Sequence, residues 1–113
     1  MTQLFPLDEA RADYEKLKIE LENAERDLAL AIKACSESHQ DHDRTWYEYV
    51  RYATPSNYEK FASALDALHL AHERCESSRL NYKLIKCKFK KASKLYAKLQ
   101  KKAAKQNKQF GEE

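Results

Sequence analysis

"TWYEYVRYATPSNYEKF", residues 45–61, places six aromatic rings on either side of one Thr-Pro-Ser-Asn bend. Pro55 disfavours helical geometry at Thr54, so a helix entering this stretch has to stop there. Ser56 or Asn57 can cap a helix that restarts beyond it. Whether the chain doubles back here decides the fold, and the residues on both sides supply the answer.

Upstream, Pro6-Leu7-Asp8 opens a helix, with Asp8 and Glu9 suited to its positive N-terminal end. Apolar or small residues then recur at alternating steps of three and four: Leu7, Ala10, Tyr14, Leu17, Leu21, Ala24, Leu28, Ala31 and Cys35. That spacing is a heptad seam. Around Ile32 the seam is expected to slip, as a four-residue insertion in the repeat would make it, and to continue through His39, His42, Trp46, Tyr49 and Ala53. Downstream the second seam is more regular: Phe61, Ala64, Leu68, Ala71, Cys75, Ser78, Tyr82, Ile85, Phe89, Ala92, Tyr96, Leu99 and Ala103.

Folding the two seams together at Pro55 sets Cys75 opposite Cys35, Phe89 opposite Leu21, Tyr96 opposite Tyr14 and Ala103 opposite Leu7. Apolar partners line up throughout. The predicted fold is all-α, a long antiparallel helical hairpin of coiled-coil type that dimerises into a four-helix bundle. Residues 1–7 form a lead, 8–53 the first helix, 54–57 the turn, 58–106 the second helix and 107–113 a disordered tail. In the alternative, "SESHQDHD" (36–43) is a loop and the chain makes three helices.

Composition supports long helices. Among 113 residues glycine occurs once and proline twice, too few turn formers for a sheet or a loop-rich fold. Two helices expose much surface per residue, which favours self-association or a partner. No run approaches the ~18 apolar residues of a membrane span, and the start lacks a basic leader before an apolar stretch. Three cysteines without an export signal fit a reducing compartment, so a cytoplasmic protein is expected.

Charge is lopsided. Residues 1–57 hold seven Lys/Arg against twelve Asp/Glu, whereas residues 58–113 hold fourteen against six. Between Ser77 and Gly111 there is no acid. An acidic first helix beside a basic second one would fix their pairing. However, Lys83, Lys90, Lys91, Lys94, Lys98, Lys101, Lys105 and Lys108 fall away from the seam. They suit an acidic protein surface or the phosphates of a nucleic acid. Lysine rather than arginine argues against base reading, so nucleic-acid binding would show little sequence preference.

All four histidines sit in "CSESHQDH" (35–42) and "HLAHERC" (69–75). In the hairpin His39 faces His72, and His42 is level with His69. Imidazole and thiolate are zinc ligands, which makes His39, His42, His72 and Cys75 the candidate metal set. The competing reading is a polar waist with no cofactor, in which Cys35 and Cys75 are small hydrophobes. Cys87 lies off the seam with no histidine or acid beside it to make it a nucleophile.

Near the bend, Tyr49 and Phe61 fit the seam. Trp46 can pack against Leu65 of the second helix, whereas Tyr47, Tyr52 and Tyr58 are harder to bury between two helices; these four, Trp46 included, form the candidate partner-binding surface, the alternative being an aromatic cap that stiffens the turn. Leu30, Leu80, Leu84 and Cys87 also point away from the seam and form the candidate self-association patch. No Gly-rich phosphate loop, carboxylate pair or Ser/His/Asp arrangement is present, and a narrow hairpin has little room for a small-molecule substrate. The expected function is therefore non-enzymatic: a protein-interaction module of adaptor, chaperone or inhibitor type. The alternative is a nucleic-acid-binding hairpin dimer.

Overall fold

The computed structural model of the protein describes residues 6–111. The chain is all-α, with two long helices packed antiparallel: α1 (Pro6–Arg51) and α2 (Pro55–Gly111). Neither is long and apolar enough over any stretch to cross a membrane.

The three-helix alternative is overturned, because residues 36–43 are helical within α1. That segment is polar but holds no glycine or proline, so nothing in its backbone stops the helix. The expected register slip is also absent. Beyond Cys35 the inward residues of α1 are Ser38, His42, Thr45 and Tyr49, while His39, Trp46 and Ala53 are exposed. One unbroken heptad thus runs from Leu7 to Tyr49. Its polar members manage their own hydrogen bonds. Thr45 is 6% exposed, and its hydroxyl donates to the Asp41 carbonyl at 2.8 Å or the His42 carbonyl at 3.0 Å. Such back-bonding lets a hydroxyl sit inward without an unsatisfied polar atom.

The bend is tighter than the expected 54–57. α1 ends at Arg51, and Thr54, not Ser56 or Asn57, is the cap of α2. The Asn57 N–H donates to Thr54 Oγ1 at 3.1 Å and the Tyr58 N–H to the Thr54 carbonyl at 3.0 Å. Pro55 then occupies the first helical position, where its missing N–H costs nothing. Asn57 has a different task. Its Nδ2 donates to the Tyr52 carbonyl at 2.8 Å and more weakly to the Glu48 carbonyl at 3.5 Å. These carbonyls already accept from the Thr54 N–H and the Tyr52 N–H respectively, each at 2.8 Å, so Asn57 adds a second bond to each and ties α2 to the end of α1. At the other end, α2 continues through Gly111 rather than stopping near 106, since "KKAAKQNKQF" contains good helix formers and no breaker. Residues 1–5 of the expected lead and 112–113 of the expected tail lie outside the described residues.

The chain divides into two compact units, one built from residues up to 24 with those from 82 onward, the other from residues 25–81. In the first, Ala10 and Ala24 are 4% and 2% exposed. Tyr14 lies between Phe89 and Tyr96, with ring centroids 5.3 and 5.2 Å away. Arg11 Nε donates to Tyr96 Oη at 3.1 Å, and this bond raises the guanidinium pKa above its ordinary value. In the second unit Leu68, Ala71 and Cys75 are buried. Among the described residues no large side chain is fully enclosed, so the seam is thin and small residues set the helix spacing.

Two substitutions test this packing by urea unfolding. Ala24→Leu forces extra volume into a closed contact and should cost about 1–3 kcal/mol. Thr54→Ala removes the α2 cap and should cost about 1 kcal/mol.

Candidate functional site

At the bend the rings divide into two groups. Phe61 is the centre of the first: Trp46 lies 5.1 Å away, His42 5.3 Å, and Tyr49 stacks at 6.2 Å with planes 5° apart. Tyr58 meets Tyr49 edge-on at 5.6 Å. These contacts bind the first turn of α2 to the last turns of α1, so part of the cluster stiffens the turn. Trp46 and Tyr58 nevertheless remain 49% and 54% exposed. The second group faces outward. Tyr47 and Tyr52 are 64% and 60% exposed, and among the described residues neither packs on another ring. Tyr52 carries only the Arg51 guanidinium, 5.5 Å from its centroid.

Val50 belongs to this outward surface at 62% exposure, although sequence reasoning passed over it. Its signal was the spacing, three residues after Tyr47 and four after Trp46, which puts the three on one helical face.

Lys83, Lys90, Lys91, Lys94, Lys98, Lys101 and Lys105 are all exposed. None joins an ion pair among the described residues, where Arg44 binds Asp41 and Glu48, and Arg79 binds Glu76, each within its own helix. The side chain of Lys108 is outside the described residues.

Of the candidate self-association residues, Leu30 and Leu80 belong to the unit 25–81 and are 60% and 58% exposed. Leu84 and Cys87 belong to the other unit and are exposed as well. Leu30 does not stand alone. With Leu70 it lines an open groove of about 740 Å³, together with Ala31, Ala34, Ala67 and Ala71 and the polar Ser38, Glu73, Arg74, Ser77 and Ser78. Alanine on both helices creates this groove, and a reading that scored only large side chains missed it.

The histidine band resolves into one cluster and two bystanders. His39 Nε2 lies 3.0 Å from His72 Nε2, the pairing that the hairpin register demands, and the rings meet at 89°. Cys35 Sγ is 3.7 Å from His72 Nδ1 and 3.9 Å from His72 Nε2. Cys35, His39 and His72 offer ligand atoms that all fall within 4.8 Å of one another. Two residues of the expected metal set, His42 and Cys75, are outside that cluster. His42 Nδ1 is 3.2 Å from Asp43 Oδ1 with its ring against Phe61, and Cys75 is buried with Arg79 Nη2 at 3.9 Å. The reason is the unbroken heptad: it turns His42 inward and leaves His39 at the edge, one turn beyond Cys35.

The three thiols differ in access, Cys87 being exposed, Cys35 half-buried and Cys75 buried. With a colorimetric thiol reagent, Cys87 should react first, and Cys75 should react at the rate of unfolding; a Cys87→Ser variant should lose only the fast phase. No protein-family model, curated protein or solved structure matches this chain.

Proposed function

We propose that this chain is a non-enzymatic protein-interaction module that captures a protein partner at its bend, through Trp46, Tyr47, Val50, Tyr52 and Tyr58. One observation carries the reading. Five apolar residues are buried among the described residues, whereas twelve large ones are at least 47% exposed. Exposed Tyr and Trp on a stiffened turn supply contact area with little side-chain entropy left to lose. The bend is held by its own ring cluster, so binding would not have to order it.

The lysines of α2 complement this by attracting an acidic partner and speeding its encounter. Self-association is part of the same proposal. The open groove lined by Leu30, Leu70 and four alanines, with Glu73 and Arg74 among its polar members, suits an amphipathic helix from a second copy. In sedimentation experiments Leu30→Glu with Leu70→Glu should convert a dimer to a monomer.

A second reading rests on the acid-free stretch from Ser77 to Gly111 with its exposed lysines, which suits phosphate contacts. Salt separates the two. Phosphate contacts predict nucleic-acid affinity that falls steeply as salt rises; absence of binding in dilute buffer removes that reading. For the leading proposal, Tyr47→Ala with Tyr52→Ala should abolish partner capture at unchanged helicity. Capture that survives this pair would mean that the rings serve the turn alone.

A further inference from the structure

Three ligand-type atoms meet at one edge of the unit 25–81. Cys35 and His39 sit one turn apart on α1, and His72 projects from α2 to both of them. The His72 Nε2 atom is the focus, with His39 Nε2 at 3.0 Å and Cys35 Sγ at 3.9 Å. A hydrogen bond between the two imidazoles needs one to donate and the other to accept, and Cys35 Sγ can pair with the other ring nitrogen, His72 Nδ1, at 3.7 Å beside it. A tetrahedral ion uses all three. With Zn–N bonds near ~2.0–2.1 Å and a Zn–S bond near ~2.3 Å, two imidazole nitrogens stand about 3.3 Å apart and nitrogen and sulfur about 3.6 Å. The two separations from His72 Nε2 differ from these by about 0.3 Å, and side-chain rotation has to draw in the third, from Cys35 to His39, whose ligand atoms lie within 4.8 Å of each other.

We propose that Cys35, His39 and His72 form a Zn²⁺ site that ties α1 to α2. Its donors are two neutral imidazoles and one thiolate, a borderline set that selects zinc over hard cations such as magnesium or calcium. The Cys35 thiol gives its proton to solvent when the metal binds. His39 and His72 are exposed, so the ion reaches the site without unfolding. Cys35 and His72 also line an open hollow of about 380 Å³ together with Ser36, Glu76 and Arg79, which leaves room for a fourth, non-protein ligand. Three protein ligands and one open place distinguish this arrangement from a closed structural zinc centre. The metal joins positions 35 and 39 to position 72, so it stabilises the pairing of the two helices in that unit.

The test uses the full chain carrying Cys87→Ser, which removes the exposed thiol remote from the site. Titration with Zn²⁺ by calorimetry should show one ion per chain. Co²⁺ should give ligand-field bands of a tetrahedral centre and a thiolate-to-metal charge-transfer band. Zinc at roughly 100 times its dissociation constant should raise the melting temperature by about 10 °C. His39→Ala, His72→Ala and Cys35→Ser should each weaken binding by more than the roughly 10–100-fold that loss of an outer-sphere partner costs. His42→Ala and Cys75→Ala should leave it intact. Helicity measured by circular dichroism keeps the result readable, since His39 and His72 are exposed and their removal spares the seam. The proposal is overturned by absence of Zn²⁺ binding, by binding that survives the three ligand substitutions, or by half an ion per chain with metal-induced dimerisation.

Discussion

Two helices can bury only one ridge each against the other, and every feature of this molecule follows from that limit. The ridges meet through small residues: Ala10 and Ala24 in one unit, Ala71 and Cys75 in the other. Small side chains let the backbones approach, but they remove little apolar area from water. Larger seam residues such as Tyr14, Leu17, Ile85 and Phe89 are only half-buried. Folding therefore leaves a surplus of apolar surface. An apolar surplus of this size suits a binding surface.

The bend turns part of this surplus into a defined surface. Thr54 caps α2 and Asn57 reaches back to the Tyr52 carbonyl just beyond α1, so the reversal is held by hydrogen bonds on both sides of the bend. The rings around Phe61 then join the start of α2 to the end of α1. The aromatics of this stretch divide: Tyr49 and Phe61 lock the turn, while Tyr47 and Tyr52 stand clear of it.

Most of the fold was legible because apolar spacing carries it. The α2 seam was read residue by residue, and each of its thirteen positions from Phe61 to Ala103 is buried or half-buried. The second half of α1 was misread for one physical reason. Ser38 and Thr45 occupy inward positions, and polarity there suggested a shifted register where the backbone simply continued. Thr45 can do this because its hydroxyl bonds to its own helix, which no apolar pattern reveals. The metal set was displaced as well: it held His42 and Cys75, whereas Cys35 completes the cluster with His39 and His72. The outward faces were legible for lysine and tyrosine, whose charge and size stand out. They were illegible for Val50 and for the alanine-lined groove, which exist only as spacing.

The account depends most directly on the chain reversing at Thr54-Pro55 so that the two seams pair. Spin labels on the exposed positions Lys18 and Lys91, in labelled chains diluted with unlabelled ones, measure this within a single molecule. Paired helices with axes about 8–10 Å apart place such labels within about 20 Å of each other. A chain that ran on as one helix would separate them by about 110 Å, and a dominant intramolecular distance beyond about 60 Å would contradict the paired seams and everything built on them.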